Sequence, residues 1–188
     1  MANYITTEIT GPPAIIEHLI RARTEEEVNE AYSFCNRFTA WHINQGYGHL
    51  AEPKTAWQLT REVDFNLLIP EPKNIGRDWY SWRTKHWGTK WNGMEHNLRD
   101  TGNGKVTIRF DTAWNHPIPV IETLSRAAGD TALTVRYASE DLGYNLGDYT
   151  AHNGTATENQ ELTEGSDEAR EFAAQLIHHT TYAKWQQD

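Results

Sequence analysis

Short stretches of strict apolar–polar alternation are separated along this chain by stretches with apolar residues three and four apart. Residues 3–10 place Ile5, Thr7 and Ile9 on one side and Tyr4, Thr6, Glu8 and Thr10 on the other, the period-2 pattern of a half-buried strand. Gly11-Pro12-Pro13 ends it, and Ile15, Ile16, Leu19 and Ile20 follow at helical spacing behind prolines that a first helical turn tolerates. Thr24 and Glu27 have the spacing of a capping box, and Val28, Ala31, Tyr32, Cys35 and Phe38 trace one face, which predicts a helix over roughly 25–40. Residues 44–60 have no period and read as a surface connection or insertion.

Val63, Phe65, Leu67 and Ile69 alternate with Asp64, Asn66 and Leu68 as a second strand, closed by Pro70-Glu71-Pro72. Val106, Ile108 and Phe110 mark a third, entered through the turn chemistry of Asn103-Gly104. Pro117 to Ala128 predicts a helix with Val120, Ile121 and Leu124 inward; Leu133, Val135 and Tyr137 mark a fourth strand; residues 144–151 add a fifth, interrupted by Gly147. Residues 155–165 are polar and loop-like, and from Ser166 the positions Phe172, Ala173, Leu176, Ile177 and Thr180 trace an amphipathic final helix. The order β-α-(α)-β-β-α-β-(β)-α contains a split β-α-β repeat. It predicts one α+β domain with a ferredoxin-like antiparallel sheet, helices on one face, a helical insertion at about 25–60 and a helical tail at about 166–185. The first and third strands would be central, leaving Thr6, Glu8, Thr107 and Arg109 on the open face unless something covers it.

Four segments carry a family resemblance: the opening Met1-Ala2-Asn3, the run Phe65 to Pro72, His86-Trp87-Gly88-Thr89-Lys90-Trp91-Asn92, and Phe110-Asp111-Thr112-Ala113-Trp114 running into Pro117-Ile118-Pro119-Val120-Ile121. On these the chain resembles the YubB-type family of phage and plasmid proteins with a ferredoxin-like domain, which usually has Asn where this chain has His86. The resemblance spans most of the chain outside about 25–60 and the tail after Ala156. It implies a mobile-element origin, a host cytoplasm and a ferredoxin-like fold. It brings no established activity, so no catalytic residue is carried over.

Composition adds bounds. The 188 residues suffice for one well-buried core, and with 38% hydrophobic and 23% charged residues the chain is neither disordered nor a membrane protein by composition. No stretch approaches the roughly 18 consecutive apolar residues of a membrane span. Cys35 is the single cysteine, so no intrachain disulfide forms, and a reducing cytoplasm is expected. The net charge of −9 is uneven. Tyr137 to Glu171 carries nine acids against Arg170 alone, whereas Arg77 to Trp114 carries seven bases against four acids.

Trp79, Trp82, Arg83, Lys85, Trp87, Lys90 and Trp91 form the densest unusual cluster, with Trp114 and Arg109 on the next strand. Indoles beside cations can stack a ring or anchor a protein contact, and they can equally roof a sheet. The acids Glu158, Glu161, Glu164, Asp167, Glu168 and Glu171 either present negative charge to a basic partner or form a solvated loop and helix start. Nucleic-acid binding is disfavoured, because Thr6, Glu8, Thr107 and Arg109 are not stacking aromatics and the overall charge repels phosphate. No metal-ligand spacing, P-loop or nucleophile motif occurs, and no cofactor is implied. Cys35, on an apolar helix face, is expected to be buried and inert. Two functions are expected in this order: a non-enzymatic phage or plasmid protein that binds a host protein, such as a defence-system component, or a protein that holds a nucleotide or other small ligand with the Trp/Arg cluster. A pocket with converging carboxylates at His86 or His96 would revive an enzyme reading.

Overall fold

In a computed structural model that describes residues 3–45 and 54–186, β1 (Tyr4–Gly11) runs through the middle of a six-stranded antiparallel sheet. Its neighbours are β5 (Val106–Ala113) and β6 (Leu133–Ser139); β4 (Met94–Asp100) lies outside β5, and β7 (Leu146–His152) and β8 (Thr155–Gln160) extend the other side. β1, β4, β5 and β6 in the order β4-β5-β1-β6 are the ferredoxin-like core, so the α+β fold expected from the sequence is the one observed. A separate ribbon pairs β2 (Ile20–Ala22) with β3 (Arg61–Val63).

One sheet face is packed by α1 (Pro13–Ile16) and α5 (Ile118–Ala127). There Ile9, Ile108, Phe110, Leu133 and Val135 meet Ile16, Leu19, Val120, Ile121 and Leu124, all at 1% exposure or less. Each such side chain contributes about 1.5–3 kcal/mol of burial. The other face does not stay open. α6 (Asp167–His178) lays Phe172, Ala173 and Leu176 over Ala138 and Leu146. Beneath it a polar row crosses every strand in register, Asn97-Arg109-Glu8-Arg136-Asp148-Gln160. Glu8 lies 3.8 Å from Arg109 and 4.0 Å from Arg136, and the Arg136 guanidinium sits 4.8 Å over the Phe172 ring. The expected open-face residues Thr6 and Thr107 are therefore only 4% exposed.

Several expectations need correction. The strand expected over 63–69 stops at Val63. Asp64 accepts from the Asn66 amide at 3.0 Å and winds residues 65–67 into a 3-10 turn that drops Phe65 into the core. The second core strand is instead β4, whose sequence MEHNLRD has no apolar alternation. The loop expected over 155–165 begins with β8, exposed at all six positions. Asn153 and Gly154, with φ of 46° and 79°, make the two-residue turn that joins it to β7. Gly147 does not interrupt β7: Tyr137 lies across it in register, and a Cβ there would stand 2.6 Å from the Tyr137 ring.

α2 (Glu25–Asn44) forms with the expected capping box, Thr24 N–H donating to Glu27 at 2.7 Å. Its expected inward face is only partly covered: Val28, Ala31 and Cys35 are half-buried, while Tyr32 and Phe38 are exposed. α3 (Ala56–Thr60) occupies the end of the stretch expected to be an insertion, and residues 46–53 of it lie outside the described residues. α4 (Trp79–His86) and the C-terminal α7 (Tyr182–Trp185) complete the elements. No helix among the described residues is long and apolar enough to cross a membrane.

Candidate functional site

α4 sorts the tryptophan cluster by its four-residue spacing. Arg83 sits between the indoles of Trp79 and Trp87, 5.3 and 4.9 Å from their centroids, and forks onto Glu71 through Nε at 2.9 Å and Nη2 at 2.6 Å. Trp87 is 1% exposed, donates Nε1–H to the Ile69 carbonyl at 2.9 Å and meets Phe65 edge-on at 5.7 Å. Trp82 stacks on His86 at 4.5 Å. This half of the cluster is part of the core wall, and its cation is already bound to a carboxylate. Lys85 is exposed beside it.

The chain then turns at Gly88, whose φ is 80° and whose Cβ position is blocked by Pro119 at 2.9 Å. Thr89 Oγ1 donates to the Ala113 carbonyl at 2.8 Å, which ties this turn to the end of β5. Lys90 Nζ is thereby held 4.5 Å from the Trp91 ring and 4.7 Å from the Trp114 ring. Tyr80 meets Trp114 edge-on at 6.1 Å.

Trp114 is 41% exposed, and its φ of 72° lies in the left-handed region, where a bulky side chain is strained. Its N–H donates to the Asn3 carbonyl at 2.8 Å, and its carbonyl accepts from Asn145 Nδ2 at 3.0 Å. Two residues on, His116 anchors the loop: it is 4% exposed, stacks on Tyr137 at 3.7 Å and meets Tyr149 edge-on at 5.7 Å. Burial pulls its pKa down to about 3, so the ring is neutral at physiological pH.

Asn145 also joins the aromatic group to acids, its N–H donating to Glu164 at 2.9 Å. Glu140 accepts from the Tyr4 amide at 3.0 Å, and the Asp141 carbonyl accepts from the Tyr144 amide at 3.1 Å. Glu140, Asp141 and Glu164 are all exposed. Trp114 is thus an exposed, fixed indole with Lys90 and Tyr80 against it and carboxylates on the adjoining 140–145 turn.

Of the sequence candidates, Lys90, Trp91 and Glu164 come together around Trp114, and Trp79 reaches it through Tyr80 at 5.9 Å. Arg109 does not join them. It faces α6, donating to the carbonyls of Leu176 and of Ile177, the latter at 2.9 Å, on the opposite sheet face from Trp87. Glu158 and Glu161 are exposed on and just after β8, and Glu168 is exposed in the first turn of α6. Asp167 pairs with Arg170 at 3.3 Å, and Glu171 accepts from the Tyr182 amide at 2.8 Å, so both serve the helices. Tyr80, Glu140, Asp141 and Asn145 were not candidates on sequence. The signal for Asn145 was its place in a polar turn after a strand, which does not reveal that it reaches a carbonyl 31 residues away.

Comparison with known proteins agrees with this topology. The crystal structure of a protein, api92, from Yersinia pseudotuberculosis superposes with a TM-score of 0.54 at 8% identity, covering 88% of this chain and all of that one, a likeness of fold. No curated protein matches the sequence. The model of the ferredoxin-like domain in Api92-like proteins matches residues 86–180, the segment that runs from Trp87 through β4–β8 to the end of α6 and carries Lys90, Trp91, Trp114 and the 140–145 turn. The chain belongs to this Api92-like ferredoxin-like family.

Proposed function

We propose that this chain is a non-enzymatic binding protein that docks a basic patch of a host protein onto the surface around Trp114. The observation that carries the reading is the indole itself, exposed at 41% yet locked on both sides of a strained peptide. Backbone strain persists where surrounding contacts over-determine it, and such positions concentrate at binding sites. A pre-ordered aromatic loses little side-chain entropy on binding, and tryptophan is among the residues enriched at interface hot spots. The carboxylates of Glu140, Asp141 and Glu164 outnumber Lys90, which selects a basic partner and favours fast encounter.

The YubB-type resemblance supports a phage or plasmid setting and a host cytoplasm, in which a defence-system component is a natural target. A ring-binding role for the Trp/Arg cluster has weaker support, because Arg83 is spent on Glu71 and Trp87 is buried.

The test is affinity capture from a bacterial host lysate with the wild-type chain, Trp114→Ala, and a triple reversal of Glu140, Asp141 and Glu164 to Lys. The expected result is a protein recovered by wild type and lost by both variants while their unfolding midpoints stay near wild type. Recovery of the same protein by all three, or of none by wild type, refutes the proposal.

A further inference from the structure

β8 is the outermost strand of the sheet and is exposed at all six positions. The two-residue turn at Asn153 and Gly154 makes His152 and Thr155 a hydrogen-bonded pair, and bonded and unbonded pairs alternate along an antiparallel ladder. The N–H and C=O of Ala156 and Glu158 therefore point away from β7. Among the described residues no turn, cap or side chain bonds to them. The opposite edge differs: β4 is met by α3, whose Gln58 Nε2 donates to the His96 carbonyl at 3.1 Å.

A free edge is a template for another strand, and folded chains commonly blunt it with lysine, proline, a bulge or a covering element. Thr155–Gln160 holds neither lysine nor proline. Its bulge comes only after Glu158, where Asn159 accepts from Thr150 Oγ1 and donates to Asp148 Oδ1, each at 2.7 Å.

Side-chain charge decides which strand fits. Ala156 and Glu158 lie across from Ala151 and Tyr149 and so share the α5 face of the sheet. Glu158, and Glu161 just beyond the strand, are exposed and form no ion pair among the described residues. A second copy would bring the same acids and a net charge of −9 to the contact. An extended segment with lysine or arginine at alternate positions would meet carboxylate while its backbone continues the ladder.

We propose that β8 is a docking edge that takes a basic extended segment of a partner protein as an added antiparallel strand. The reading is independent of the Trp114 surface, and the residues that respond tell the two apart.

The test is titration of the isotope-labelled full chain with acetyl-Thr-Lys-Thr-Lys-Thr-Lys-amide, and with the same peptide carrying glutamate for lysine, followed by amide chemical shifts. The expected result is saturable shifts centred on residues 155–160 with the basic peptide and none with the acidic one. Ala156→Pro removes an outward N–H and leaves the β7 ladder whole, so the unfolding midpoint should stay near wild type while peptide binding weakens about tenfold or more. Glu158→Gln should weaken it about threefold. The basic peptide N-methylated at every residue, which removes backbone donors without touching the chain, should not bind. No saturable shift in β8, an equal response to the acidic peptide, binding insensitive to Ala156→Pro, or binding of the N-methylated peptide overturns the proposal. So does a wild-type dimer that takes up no peptide and that Ala156→Pro makes monomeric, which would give the edge to a second copy.

Discussion

Replacing Trp87 with alanine separates the structural tryptophans from the exposed one. The side chain is 1% exposed and meets Phe65 and Trp82 edge-on at 5.7 Å each, so truncation opens a cavity in the main core. Large-to-small changes of this kind cost about 3–5 kcal/mol. The Ile69 carbonyl also loses its donor, and a buried acceptor left unpaired costs about 1–3 kcal/mol more where water cannot reach it. Arg83 loses one of its two indole faces but keeps Glu71, a smaller effect. The sum, about 5 kcal/mol, is a large share of the roughly 5–15 kcal/mol that holds a typical domain. Trp87→Phe keeps most of the ring and loses the N–H, so its cost should be about 1–3 kcal/mol. Urea unfolding followed by far-ultraviolet circular dichroism reads both values without relying on tryptophan emission. The slope against urea should stay constant while the midpoint moves. A loss below about 1.5 kcal/mol for Trp87→Ala would refute its placement in the core wall.

Other outcomes follow from the same structure. Trp114→Gly removes the left-handed strain and should be neutral or stabilising by up to about 1 kcal/mol in the same unfolding assay, while abolishing partner capture. His116 has a pKa of about 3 when folded and an ordinary one near 6.5 when unfolded, so the folded chain binds fewer protons; its contribution is whole above about pH 6.5 and is lost as pH falls towards 3, by about 1.4 kcal/mol per unit. Urea midpoints between pH 6.5 and 5 should fall more steeply in wild type than in His116→Phe, where the shallower slope left belongs to His96 and His178, also lowered by burial. Glu8→Gln removes the carboxylate between Arg109, which keeps its α6 carbonyls, and Arg136, which keeps Asp148 at 3.8 Å, so with their 21% and 35% exposure the cost in the same unfolding assay should be about 1–2 kcal/mol, and no loss at all would refute a stabilising role for the row.

The strands β1, β5 and β6 were legible because each alternates over a face that is buried, and their registers carry Ile9, Ile108 and Val135 into one layer. β4 and β8 were not, for lack of that contrast: β8 is exposed throughout, and β4 buries only His96. Phe65 misled in the other direction, its apolar neighbours suggesting a strand that the Asp64 side chain turns into a helix. The two tryptophans at the centre of the account differ by contacts no local pattern reveals. Trp87 is fixed by a carbonyl 18 residues earlier and Trp114 by an amide 31 residues later. The place of Arg109 is not legible locally, because the α6 carbonyls that take it lie 67 and 68 residues further on in the sequence.

Amide hydrogen exchange of the chain, alone and with a protein captured from host lysate, tests the docking surface most directly. A partner anchored on Trp114 should bring new protection over residues 88–91, 112–116 and 140–145, the segments that carry Lys90, Trp91, Trp114 and Asn145. Protection confined to α2 or to β8, with those three segments unchanged, would contradict it.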